Sequence, residues 1–209
     1  MGKTKFGRKE KRRSQYPRFL IVLEGAVTEL QYFETIRRSL RAPGAQISCL
    51  PPGATSPIEI VRRAISERNR SNKTDPYDHV WCVFDTETKL TQNARDGLAE
   101  SLNIASHNKV SIALSNPCFE LWLLLHEEDR QAWIDSHALQ SRCSSLQIVE
   151  AKHLCNPALL VERYTTARER ALALEAKHDR DGTNQDAQRN PSSRVFKLVD
   201  IILASFPSR

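Results

Sequence analysis

The chain lacks any apolar run approaching the roughly 20 residues that a membrane helix needs. Its densest apolar stretch, residues 121–125, is bounded by Glu120 and Glu127. The N-terminus has no apolar core of a secretory signal, and position 6 is Phe where N-myristoylation after Gly2 would want Ser or Thr. These absences predict a cytoplasmic protein with no membrane partner. Cys49, Cys82, Cys118, Cys143 and Cys155 are odd in number, and no two are separated by two residues. That pattern argues against a disulfide framework or zinc knuckle and predicts reduced thiols; His153 and Cys155 alone do not make a four-ligand site. Glycine is missing where nucleotide folds need it. Gly25 stands alone after the first apolar run, which disfavours a dinucleotide-binding enzyme. Gly2-Lys3-Thr4 has the tail of a phosphate loop without its preceding glycine, strand and spacing, which argues against P-loop ATP hydrolysis. No internal repeat is present.

What is there suits a globular chain: 40% of the 209 residues are hydrophobic and 27% charged, enough for a real core. The net charge of +6 is unevenly spread. Eight Lys and Arg between Met1 and Arg18, opposed only by Glu10, leave the remainder close to neutral. Residues 1–17 therefore form a basic arm, read either as a phosphate-attracting segment or as a solvated, disordered tail.

The apolar patterning predicts βαβαβαβα order. RFLIVL (18–23) and HVWCVF (79–84) are unbroken apolar runs suited to buried parallel strands. A weaker strand is expected at 46–50 and a further strand at 109–114. Thr28 with Gln31, and Ser56-Pro57 with Glu59, have capping-box spacing ahead of helical stripes. A helix is expected from 92 to 105, and Asn116-Pro117 reads as the cap of another through Leu125. Beyond residue 129 the expectation is a helical extension: a helix at 131–139 broken at 142–145, a long helix from Asn156-Pro157 to about Lys177, a polar loop at 179–190 that could be disordered, and a last helix starting at Asn190-Pro191. The fold class expected is α/β, a mainly parallel Rossmann-like sheet with flanking helices, divided into a core at 18–128 and the extension at 129–209.

In such sheets ligands gather beyond the carboxyl ends of the strands. There the sequence places Glu24, then Asp85 and Glu87, then Asn116 and Glu120. Carboxylates suit Mg²⁺, with Mn²⁺ as a substitute, and a metal held there would bind a phosphodiester and activate water. The competing reading is that each acid only caps a helix or shapes a turn, and at this point both stand. Asn116 could contact substrate at a helix N-terminus or be only a cap. Glu120 could act beside the metal or merely place charge at a helix start. Lys89 could neutralise developing charge or be a solvated loop lysine. Cys118, with no evident base partner, reads as a buried residue rather than a nucleophile, and Phe119 and Trp122 read as core.

Glu24-Gly25-Ala26-Val27-Thr28-Glu29, the stretch Val80–Asp85 with Glu87, the block SNPCFELW at 115–122 and Asn190-Pro191-Ser192 together resemble the RloB-like family, within the wider Toprim-like set. The resemblance spans about Phe19 to Leu203. It implies a Toprim-like catalytic fold, shared with topoisomerases, primases and nucleases related to overcoming-lysogenization-defect proteins. Glu24 would be the family's catalytic glutamate, and Asp85 and Glu87 its D-x-D pair, although Glu87 stands where Asp is usual. The resemblance further implies a Mg²⁺-dependent nuclease acting on RNA or DNA in anti-phage defence (abortive infection), beside an ATPase partner. A non-catalytic subunit of such a complex is the alternative, and homo-oligomers are left open.

Overall fold

The computed structural model describes residues 16–40, 46–50, 56–71, 76–86 and 91–206. Glu87 and Lys89 lie outside them, as does the expected basic arm through residue 15.

The two apolar runs become β1 (Arg18–Leu23) and β3 (His79–Asp85), flanked by β2 (Gln46–Leu50) and β4 (Ser111–Asn116). Among the described residues the main sheet has the order β2-β1-β3-β4-β7, parallel except for β7 (Ser192–Ser193), which pairs antiparallel with β4. The mainly parallel α/β architecture expected from the alternation is therefore present.

After β2 the chain reverses direction across the sheet. Helix α1 (Thr28–Ser39) consequently covers one face, and α2 (Pro57–Ser71) with α3 (Gln92–His107) covers the other. Alternating residues of each strand feed the two faces, as the two-residue period requires: Phe19, Ile21 and Leu23 pack on the α1 side, Leu20 and Val22 on the α2–α3 side. The α1 side is the thicker. It also receives α4 (Glu120–Leu125), α5 (Ser136–Ser145), α6 (Pro157–Glu162), α7 (Tyr164–Arg180) and α8 (Val195–Ser205). Helix α4 is apolar all round after Glu120, and residues 121–125 are fully buried, as such a helix must be. Trp122 packs edge-on against Tyr32, His126 and Tyr164, tying α4 to α1 and α7.

Several local expectations are corrected. Helix α1 has no side-chain cap; Thr28 and Gln31 point away to other partners, described below. The capping pair at Ser56 and Glu59 does form. β4 runs to Asn116, so Asn116 ends a strand instead of capping a helix. Its buried amide donates to the carbonyls of Asp186 and Ala187 (3.3 and 3.2 Å), which fixes the expected loop at 179–190 against the sheet. Helix α5 begins only at Ser136, because Asp135 accepts the Ala138 N–H as its N-cap, and it continues through the expected break at 142–145. The long helix is divided at Arg163 into α6 and α7; Asn156 caps α6 as expected. Asn190-Pro191 leads first into β7 and only then into α8.

Asn190 is a second polar clamp. Its Oδ1 accepts the Ile134 N–H (3.1 Å) and its Nδ2 donates to the Ile134 carbonyl (2.9 Å). Asn190→Ala removes both bonds and leaves the buried Ile134 backbone unpaired, a loss of about 1–2 kcal/mol. Thermal unfolding is expected to show Tm lower by roughly 2–8 °C for a chain of this size; an unchanged Tm would show that the clamp contributes nothing.

Candidate functional site

β1 and β3 are neighbours at the point where the strand order reverses, and the crevice beyond their carboxyl ends is where open α/β sheets bind ligands. Leu23 lies opposite Val83, and the Glu24 N–H donates to the Val83 carbonyl (2.9 Å), extending the ladder by one bond. Glu24 Oε2 then accepts the Asp85 N–H at 2.8 Å. Neither acid caps a helix: α1 follows Val27, and α3 is capped by Thr91. Asp85 Oδ1 is buried and has no hydrogen-bond partner.

Burial, then the negative charges of Glu24, Glu29 and Glu120, hold the Asp85 carboxyl well above its ordinary range, offset in part by a Phe119 N–H. Glu29 behaves alike. It is 8% exposed, and burial pushes it up to about 7, with Glu120 and Glu24 adding to the rise and the N–H groups of Glu29 and Gly25 opposing it. The structure thus gathers Glu24, Asp85 and Glu120, and adds Glu29. Asn116, at the end of the neighbouring strand, faces the 186–187 backbone.

In the sequence Glu29 reads only as the last residue of the E-G-x-x-T-E motif, with no role in the site. The usable signal was Gly25. A Cβ at position 25 would lie 1.7 Å from Glu29 Oε2, so the carboxylate occupies the space a side chain would take. Cys118 is buried, and burial with Glu120 and Asp85 pushes its thiol far up, in keeping with a non-nucleophilic role.

The other side of the motif anchors an unanticipated hairpin, β5 (Val149–Glu150) and β6 (His153–Leu154). Thr28 Oγ1 donates to the Lys152 carbonyl (2.8 Å), and Gln31 binds the Leu154 N–H (2.9 Å) and His153 Nδ1 (2.7 Å). Ala151 and Lys152 form the turn at φ 46° and 70°, a left-handed conformation that glycine or asparagine would adopt more cheaply. The clamp from α1 holds it there.

Among the described residues, no group of three or more His, Cys, Asp or Glu is already arranged around a metal position. The donor chemistry nevertheless fits a hard divalent ion. Mg²⁺ commonly takes only one or two carboxylates and keeps several waters. Asp85 Oδ1 is an unpartnered buried acceptor beside Glu24, and Asp85 and Glu29 are raised first by burial and then by the neighbouring carboxylates, a repulsion that a cation would relieve.

The family model RloB, described as RloB-like protein, matches residues 19–202. The chain belongs to the RloB-like family. No curated protein and no solved structure matches it. The matched span of this RloB-like chain covers the sheet from Phe19 onward and every carboxylate of the cluster.

Two outcomes follow from the cluster. Glu29 is raised in the folded state from its ordinary 4.5 to about 7, so wild-type stability is lost as pH rises through that window. Gln cannot ionise; Glu29→Gln is therefore expected to match wild type near pH 4.5 and exceed it above pH 7, by on the order of 3 kcal/mol. Chemical denaturation across pH 4.5–8 measures this, and a constant difference would show Glu29 does not titrate there. Separately, Gly25→Ala should destabilise wild type yet cost little in a Glu29→Ala background. A denaturation double-mutant cycle should show coupling of roughly 1–3 kcal/mol, whereas additivity would refute the contact.

Proposed function

We propose that this protein is a Mg²⁺-dependent nuclease of Toprim-like type, with Mn²⁺ as a substitute ion, cleaving phosphodiester bonds in RNA or DNA. The observation that carries this reading is the juxtaposition of Glu24 and Asp85 at the reversal point of a parallel sheet, with Asp85 Oδ1 buried and unpartnered. Glu24 and Asp85 would hold the ion; Glu87, two residues beyond Asp85, has the charge to join them. Bound there, the ion supplies Lewis acidity and a water acidified toward neutral pH. Glu120 contributes negative charge that favours cation uptake, and Glu29, which burial raises to about 7, is the carboxyl of the cluster that would hold a proton near neutral pH. Lys89 and the basic arm supply phosphate attraction. Family membership supports placing this activity in anti-phage defence beside an ATPase partner; a cytoplasmic location is proposed from the lack of an apolar signal or spanning segment in the sequence.

A second reading is a non-catalytic nucleic-acid-binding or regulatory subunit. It is favoured by the absence of a ready three-ligand metal shell among the described residues and by Glu at position 87.

Cleavage of RNA and DNA panels with and without Mg²⁺ separates the two. On the nuclease reading, Glu24→Gln and Asp85→Asn each lower cleavage by about 10²-fold or more while leaving the fold intact. Metal-independent cleavage, or cleavage unchanged in both variants, would discard the assigned site. No cleavage in any assembly state, with nucleic acid still bound, would favour the second reading.

A further inference from the structure

The carboxylate pair opens on the thinner, α2–α3 side into a cavity of about 280 Å³. Its walls are mostly apolar: Pro57 and Ile58 from the first turn of α2, and Ala94, Gly97 and Leu98 from α3. Glu24 and Asp85 line it as well, with Ser56, Thr86 and Asn93, whose amide has both donor and acceptor groups. Phosphodiester chemistry alone has no use for apolar walls. The volume falls just below the roughly 300 Å³ at which pockets for drug-sized ligands begin, which suits one flat ring system and is too small for a paired base step.

Gly97 sharpens the point. It sits in the interior of α3, where glycine is the poorest helix former after proline. A Cβ there would meet only Ile58 Cδ1, at 4.0 Å. Alanine would thus fit without clash and favour the helix, so packing does not require glycine. What glycine preserves is open space on the cavity wall.

We infer that this cavity receives one unstacked nucleobase of the strand whose phosphodiester lies on Glu24 and Asp85, so that the substrate is single-stranded or locally unpaired nucleic acid. The inference rests on the nuclease reading of the same site. A base attached to the scissile strand is the substituent that combines an apolar face with a polar edge, matching the walls and Asn93 respectively.

Single-stranded RNA and DNA oligonucleotides carrying 2-aminopurine at successive positions, bound to the full chain with Ca²⁺ replacing Mg²⁺, provide the test. Fluorescence should rise sharply at one position near the cleaved bond, and single strands should be cut at least 10-fold faster than the matching duplex. Gly97→Leu, which fills the cavity, should abolish the fluorescence rise and lower cleavage at least 10-fold while melting at or above the wild-type temperature. Ala94→Phe, at an exposed lining position, repeats the test should Gly97→Leu fail to fold. If wild type cleaves but no position brightens, or if the filled variants cleave at the wild-type rate, the inference is overturned and the nuclease reading stands. If a free mononucleotide gives the same saturable response as the strand, the inference is likewise overturned. If wild type neither binds nor cleaves any strand, the nuclease reading itself fails and takes the inference with it.

Discussion

The hydrogen bond from the Asp85 N–H to Glu24 Oε2 joins the carboxyl ends of two adjacent parallel strands, and the rest of the site is arranged around it. A carboxylate used this way is drawn inward, away from bulk water and beside a second carboxylate. Folding alone gains little from that: one charge-assisted bond is set against the desolvation and mutual repulsion of the acids. The cluster is therefore a place where local stability is given up, and the compensation comes from the cores on either face of the sheet. Strands buried on both faces, with α4 sealed beneath them, make the scaffold rigid enough to hold like charges together.

The C-terminal half does more than cover a hydrophobic face. Asn116 fixes residues 186–187, Asn190 fixes Ile134, and β7 adds an antiparallel strand to β4. On the other flank, Thr28 and Gln31 clamp the β5–β6 hairpin against the N-terminus of α1, the helix that carries Glu29. Polar side chains that looked like helix caps thus serve as long-range ties between segments more than 50 residues apart. They connect the segment after residue 129 directly to the elements bearing the carboxylates.

The sheet was legible because its signals are local. RFLIVL and HVWCVF admit few alternatives, and their abrupt acidic ends marked Glu24 and Asp85. The helical region was less legible because its boundaries depend on contacts distant in sequence. The first turn of α1 spends Thr28 on Lys152, not on its own backbone, and Asn116 reaches residue 186; nothing in the local spacing distinguishes those uses from capping. The hairpin at 149–154 was invisible for a related reason: Ala151-Lys152 is a poor turn sequence, stable only under the clamp from α1. Glu29 lies in the first turn of α1, not at a strand end, and the crowding at Gly25 shows its carboxylate reaching back to the residue beside Glu24.

The unequal covering of the sheet has a steric consequence. One face is shielded by α1, α4 and the helices that follow, while the other carries α2 and α3, and the cavity beside Glu24 and Asp85 opens on that side. A protein seated on α7 and α8 would leave the approach to the carboxylates clear. One seated across the N-terminal turns of α2 and α3 would block it. The choice of docking face thus separates an assembly that delivers nucleic acid to this protein from one that holds it silent.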